Sequence, residues 1–449
     1  MLRVVQTKLG KIEGIPAADP RITAFKGIPF AKPPVGELRW HAPVPAEKWE
    51  GTLKAWNFAP ISVQPTPYYD PNDLYCREWS VDKDIPMSED CLYLNVWTPA
   101  NEADEKLPVY VWIYGGGFQT GFTAEMEFDG ERIARRKIVV VTLAYRLNMF
   151  GFMCHKDITA ENPDEPANFG LLDQRMALKW VKENIQAFGG DPDNITIGGQ
   201  SAGGGSVLNQ ILYGQENGLF NRAVCHSGIF VMPGNNIMTP ATLEEAEKKG
   251  EDFFDFIGAK NLEEARKFTT EELRKKWDEY GGHAKSIATW LPVRDEKFIK
   301  YEVFEAFEKN AVKSVPMLMG WTTDEFTFAP PGSSEKVNSI ELGLKKYLEL
   351  TQKNGDKNPV YTYQFDVGIP GWDNPGKFHS VDLWFWFETL AKCWRPFVGR
   401  HYDVARKMCN YLCNFIRTGD PNGNDADGSP MQEWKPCSDL RRDSIVFRE

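Results

Sequence analysis

The chain has 449 residues, 42% hydrophobic and 26% charged, and carries a formal net charge of −11 at pH 7. That acidic balance argues against a nucleic-acid partner, whose affinity would come mainly from Lys and Arg contacts with phosphates, and it disfavours an anionic membrane for the same reason. No apolar run reaches the roughly 20 residues that a membrane-crossing helix needs. With no internal repeat or linker-like stretch, residues 1–449 read as one large domain burying its own core.

In chain order, Met1 to Ile12 alternates like a strand and holds no apolar core of signal-peptide length, so a cytoplasmic protein is expected. A buried strand is expected at about 107–114, where Val109-Tyr-Val-Trp-Ile-Tyr114 runs into Gly115-Gly116-Gly117-Phe118. Another follows at 138–145. The stretch from Asp173 to Phe188 places Ala177, Trp180, Val181, Ile185 and Phe188 on one helical face and stops at Gly189-Gly190. A strand at 194–199 then enters Gly199-Gln200-Ser201-Ala202-Gly203, and Val207, Ile211 and Leu212 continue it as a helix. From about Thr242 to Tyr280 the pattern changes to charged amphipathic helix, which marks a surface insertion, approximately 230–300, expected to cap a site. Strands at 315–321 and 358–366 complete an alternation of strand and helix, the signature of an α/β fold with a mostly parallel sheet.

The Gly-x-Ser-x-Gly turn carries the chemistry. Small residues at Gly199 and Gly203 allow a sharp strand-to-helix reversal that lifts the Ser201 hydroxyl above the sheet and leaves the Ala202 amide free to donate. The glycines after the first strand leave the Gly116 and Gly117 amides similarly unobstructed, so the two segments read as two halves of an oxyanion hole. A serine nucleophile needs a base, and the six histidines are His41, His155, His226, His283, His379 and His401. The order nucleophile, acid, histidine favours a late one, His379 or His401. His379 follows a stretch rich in Pro, Gly, Asn and Asp and reads as a loop residue, whereas His401 reads as part of a helix. The acid should follow a strand between serine and histidine, which leaves Asp324 and Glu325 after the 315–321 strand. The eight cysteines include no Cys-x-x-Cys pair, and no Cys/His spacing reads as a metal site.

Long motifs in a fixed order make the chain resemble the type-B carboxylesterases, a family that also holds the cholinesterases, within the α/β-hydrolase fold. They are Phe25-Lys-Gly-Ile-Pro-Phe-Ala, extending to Arg39-Trp40; Glu89-Asp-Cys91-Leu-Tyr-Leu-Asn; Ala144-Tyr-Arg146-Leu-Asn with Gly170-Leu-Leu-Asp173-Gln; Phe188-Gly-Gly-Asp-Pro-Asp-Asn-Ile before the elbow; and Arg417-Thr-Gly-Asp-Pro-Asn. The resemblance selects His379, in Gly376-Lys-Phe-His-Ser-Val-Asp382, and Glu325, with Phe326 standing where many members have glycine. It further implies that Arg39 with Glu89 and Arg146 with Asp173 are structural ion pairs, and that Ser227 supports the triad through hydrogen bonds. Secreted relatives bridge the cysteine of the Glu-Asp-Cys-Leu motif to one upstream. Cys76 and Cys91 occupy comparable places, and free thiols are expected in a reducing compartment.

The expected activity is hydrolysis of a small-molecule carboxylic ester through an acyl-enzyme, without a cofactor and with oligomeric state open between monomer and homodimer. A catalytically silent cholinesterase-like binding module and an interfacial lipase are the competing readings. Gln200 stands where cholinesterases carry glutamate beside the nucleophile, so cationic alcohols lose an attraction. Phe118, Trp290, Phe326 and Trp384 lie near the motif residues in sequence and are candidate walls of an apolar, partly aromatic pocket for neutral short-acyl or aryl esters.

Overall fold

Ten strands hydrogen-bond into one sheet in the computed structural model, which describes residues 1–449 apart from 66–69, 71, 80, 81, 83, 214–217, 232–239, 282–289, 313 and 330–333. They are β1 (Ile15–Pro16), β2 (Thr23–Pro29), β3 (Tyr93–Thr98), β4 (Leu107–Ile113), β5 (Val139–Leu143), β6 (Gly190–Gln200), β7 (Arg222–His226), β8 (Met317–Thr322), β9 (Val360–Phe365) and β10 (Ile445–Phe447). Their order across the sheet is β10-β9-β8-β7-β6-β4-β5-β3-β2-β1. The pairings from β5 through β4 and β6 to β10 are all parallel, and β1, β2 and β3 close the other edge in antiparallel fashion. Runs such as Val139-Val-Val-Thr-Leu143 are buried along their whole length, as a strand covered by helices on both faces requires.

The helices that bear on the site are α1 (Leu74–Trp79), α2 (Phe169–Asn184), α3 (Ala202–Tyr213), α4 (Leu243–Ile257), α5 (Leu262–Arg266), α6 (Thr270–Tyr280), α7 (Leu383–Trp386) and α8 (Gly399–Thr418). Two boundaries differ from the sequence expectation for physical reasons. Helix α2 starts at Phe169 rather than Asp173, because Asn168 adopts a left-handed φ of 59° that launches the helix ahead of the Asp173 contact with Arg146. It ends in a 3-10 turn, Ile185–Phe188, closed by Gly189 at φ 80°. Strand β6 starts at Gly190 rather than 194, because Gly190 already pairs with Leu107 of β4.

The charged stretch after Thr242 folds as α4, α5 and α6, and the Thr242/Glu245 and Thr269/Glu272 pairs form capping boxes at the starts of α4 and α6. It is anchored to the body through a buried ion pair. Arg39 holds Glu89 with two hydrogen bonds of 2.8 and 2.6 Å, donates to the carbonyls of Arg266 and Phe268, and Thr270 Oγ1 reaches Glu89 at 2.6 Å. Arg146 grips Asp173 in the same two-pronged way at 2.8 and 2.7 Å. Both pairs are structural, as the resemblance implies. Cys76 and Cys91 are buried free thiols. Among the described residues, no helix is long and apolar enough to cross a membrane.

Candidate active site

Strand β6 ends at Gln200 and α3 begins at Ala202, so Ser201 occupies the corner between them, at φ 57°. A serine in the left-handed region is strained, and such strain collects where geometry serves a site. The corner closes only with glycine on either side. A Cβ on Gly199 would lie 2.3 Å from the Gly203 carbonyl oxygen, and one on Gly203 would lie 2.1 Å from the Ile113 oxygen. The Ser201 amide is tied to the His226 carbonyl at 3.0 Å, which anchors the elbow to β7. The amides of Gly116, Gly117 and Ala202, by contrast, donate to no acceptor among the described residues.

Glu325 follows β8 and is buried. Its Oε1 accepts from the Thr322 amide and from Ser227 Oγ, both at 2.7 Å, and its Oε2 lies 2.5 Å from His379 Nδ1. Asn338 Nδ2 donates to the Glu325 carbonyl at 2.8 Å and to the Thr322 carbonyl at 3.1 Å, which fixes the turn. The neighbouring Asp324 is exposed and accepts from the Lys377 amide at 2.8 Å, so it holds the loop before His379 and does not face the imidazole. Because an ionised carboxyl can only accept, Nδ1 carries the ring proton and Nε2 is left as an acceptor.

Ser201 Oγ makes no hydrogen bond with that acceptor in this structure. Instead the Gln200 amide nitrogen lies 3.2 Å from Nε2 and 3.4 Å from Nδ1 of His379. The side chain next to the nucleophile thus touches the edge of the ring that a serine proton would have to reach. Phe326 packs against the same ring at 4.4 Å between centroids, and against Phe230 at 5.0 Å. Phe326 adopts φ 42°, so the loop keeps a glycine-like backbone with a bulky residue in it.

A second buried chain of polar groups runs beneath the elbow. His226 Nδ1 lies 2.8 Å from Tyr363 Oη, which donates to Asp382 Oδ2 at 2.7 Å, and Trp386 Nε1 donates to the same oxygen at 3.2 Å. Burial, and then the charge on Glu325, push the Asp382 carboxyl up to about 7, while burial pushes His226 down to about 3 and keeps it neutral. The spacing His379-x-x-Asp382 was visible in the sequence, but the Tyr363 link, on another strand, was not.

The other histidines lie elsewhere. His401 is buried on α8 and accepts from the Val398 amide at 3.0 Å; His155 caps a short helix through the Asp157 amide at 3.1 Å; His41 contacts its neighbour's carbonyl, Ala42 O, at 2.8 Å. His283 lies outside the described residues. Among the proposed wall residues, Phe118 lines a crevice of about 10 Å³ beside the elbow with Gly205, Asn209, Ile299 and Val303. Trp290 is buried against Phe253, and its carbonyl accepts from Gln119 Nε2 at 2.5 Å. Phe326 is 37% exposed. Trp384 is a correction: the short helix α7 turns it fully into the core together with Phe385, Trp386 and Phe387, so it forms no open wall. Among the described residues, no group of three or more acidic, Cys or His side chains is placed to hold a metal ion.

A family model described as the carboxylesterase family matches residues 2–348 and 340–446. The chain belongs to the carboxylesterase family. It is 36% identical to the para-nitrobenzyl esterase of Bacillus subtilis, across 99% of this chain and 94% of that one. It is 39% identical to an acetylcholinesterase of Bungarus fasciatus, across 93% and 78%. The solved carboxylesterase of Geobacillus stearothermophilus superposes with a TM-score of 0.80 at 30% identity, covering 99% of this chain and 96% of that one. The sheet and its flanking helices are therefore the α/β-hydrolase fold of the type-B carboxylesterases, and the chain is a serine carboxylic-ester hydrolase by family.

Proposed function

We propose that this carboxylesterase hydrolyses neutral short-acyl or aryl esters, with Ser201 as nucleophile, His379 as base and Glu325 as the acid that orients it. The observation that carries the reading is the 2.5 Å contact between Glu325 and His379 Nδ1, which leaves Nε2 as a proton acceptor at the side of the Ser201 elbow. As the ester enters, the Gln200 amide leaves Nε2, the ring accepts the Ser201 proton, and the alkoxide attacks the carbonyl carbon. Glu325 stabilises the imidazolium that forms, and the amides of Gly116, Gly117 and Ala202 receive the developing oxyanion. The tetrahedral intermediate collapses with cleavage of the ester C–O bond, the alcohol leaves with the proton that His379 returns, and water deprotonated by the same ring then attacks the acyl carbon, releasing the acid and restoring Ser201.

The exposed Phe326 ring beside His379 offers a face to an aryl alcohol. Neutral Gln200 gives a cationic alcohol no charge to pair with. On this reading helices α4 to α6 serve as the cap of the cleft, and Phe253 of α4 packs against Trp290. Their charged surfaces oppose an interfacial lipase, which would need a greasy rim.

One observation favours a silent binding module, namely that Ser201 and His379 are not hydrogen-bonded. Turnover of p-nitrophenyl acetate decides between the readings. Ser201→Ala should leave the fold intact and lower kcat by about a thousandfold or more, whereas His401→Ala should change kcat less than about threefold. Undetectable turnover by the wild-type chain, or full activity in Ser201→Ala, would overturn the assignment.

A further inference from the structure

The glycine loop after β4 runs directly beside the nucleophile, since a Cβ on Gly115 would lie 3.0 Å from that of Ser201. Gly116, Gly117 and Phe118 hold successive left-handed φ values of 102°, 63° and 62°. No described atom lies within 4 Å of where a Cβ on Gly117 would stand, so side-chain packing does not fix the turn at that point. Hydrogen bonds from Gln119 fix it instead. The Gly116 carbonyl accepts from the Gln119 and Thr120 amides, each at 3.0 Å, and in a trans peptide that turns the Gly117 N–H the opposite way, free for an oxyanion. The Gln119 side chain holds the next peptide, its Nε2 donating to the Gly117 carbonyl at 3.3 Å.

The second proton of the same Nε2 goes to the Trp290 carbonyl at 2.5 Å. Among the described residues neither carbonyl has another donor. Trp290 in turn packs on α4, edge-on to Phe253 at 5.8 Å and under Lys249 Nζ, 4.7 Å from its ring centroid. Gln119 is only 8% exposed, and its Oε1 has no partner. Burying that oxygen unpaired works against stability, so the amide earns its place through its two donors.

We propose that Gln119 is a positioning residue for the oxyanion hole, clamping the peptide planes on both sides of Gly117 and fastening them to α4 through Trp290. The clamp presupposes the oxyanion role proposed above for Gly116, Gly117 and Ala202. Preset donors stabilise a developing charge because they need no reorientation when it forms. A loop freed to turn therefore loses stabilisation in the transition state and little in the bound ester. Helix α4 then acts on the rate of the chemical step, since a shift of Trp290 reaches the Gly117 peptide through a single side chain.

The test pairs p-nitrophenyl acetate hydrolysis by the full chain with inhibition by phenyl trifluoromethyl ketone. In the inhibitor, Ser201 Oγ adds to the ketone carbon, its proton passes to His379 Nε2, and the ketone oxygen takes the negative charge in the hole. Gln119→Leu should lower kcat by about 10- to 100-fold with KM changed less than about threefold, and should weaken the ketone in the same proportion as kcat. Gln119→Glu, the same shape with acceptors in place of donors, should lose at least about as much, and it decides if the leucine variant is unfolded. Phe253→Leu should lower kcat by about two- to fivefold in the wild type and no further in Gln119→Leu, and additive losses would refute the link to α4. In the folded Gln119 variants, a kcat within about twofold of wild type, a loss confined to KM, or unchanged ketone affinity would each overturn the clamp while leaving the oxyanion hole in place. A wild type that hydrolyses the ester yet binds the ketone no more tightly than acetophenone would overturn the hole, and the clamp with it.

Discussion

Ser227 offers the sharpest test of how the acid is held. Its hydroxyl is one of three donors on Glu325, at 2.7 Å, beside the Thr322 amide at 2.7 Å and His379 Nδ1 at 2.5 Å. The carboxyl is buried, so water does not replace a lost donor. A hydrogen bond to a charged group contributes about 1.5–3 kcal/mol. If that stabilisation acts on the ionised carboxyl facing an imidazolium, Ser227→Ala should lower kcat/KM for p-nitrophenyl acetate by about 10- to 100-fold. Ser227 also adopts φ 46°, which alanine shares at a cost and glycine adopts freely. Ser227→Gly should therefore resist urea better than Ser227→Ala, by about 1 kcal/mol or less, yet lose the same activity. Rates within about twofold of wild type in both variants, or rates that follow stability and not the hydroxyl, would refute the reasoning.

Asp382, pushed from 3.8 up to about 7 by burial and by Glu325, binds a proton in the native state that the unfolded chain releases, so its contribution to stability falls as pH rises between those values. Urea unfolding should accordingly show Asp382→Asn gaining on the wild type by up to about 4 kcal/mol from pH 4 to 7, and a pH-independent difference would contradict it. Phe326→Gly removes a ring packed on His379 but relieves a positive φ; the melting temperature should move little while KM for aryl esters rises about threefold or more over that for alkyl esters. An equal change for both ester types would remove Phe326 from the substrate wall. Gln200→Glu should raise kcat/KM for acetylthiocholine over an uncharged thioester of equal size by about tenfold at low salt, and an unchanged ratio would exclude an electrostatic role for that side chain.

What the sequence disclosed depended on how local each constraint is. Gly199 and Gly203 were legible because a tight turn excludes Cβ atoms whatever the distant contacts, and the buried β-branched run of β5 declares a covered strand. Choosing Glu325 over Asp324 needed family resemblance, since both follow the same strand; burial of one and the Lys377 amide on the other separate them in space. The Tyr363–Asp382–His226 chain depends on packing between remote segments, which no residue spacing reveals. Trp384 was misplaced because proximity in sequence to His379 says nothing about which way a four-residue helix turns its rings. The Gln200 contact with the imidazole, where a Ser201 contact was expected, is a rotamer-level feature beyond any pattern.

The most direct test of the central claim is covalent capture of the nucleophile. The chain is incubated with diethyl p-nitrophenyl phosphate, and intact-mass and peptide mass spectrometry follow adduct and residual activity together. The expected result is one diethylphosphoryl group per chain, located on Ser201, with activity lost in proportion and no adduct in Ser201→Ala or, at matched times, in His379→Ala. Full inactivation with the label on another residue, or retained activity in a chain fully labelled at Ser201, would contradict it.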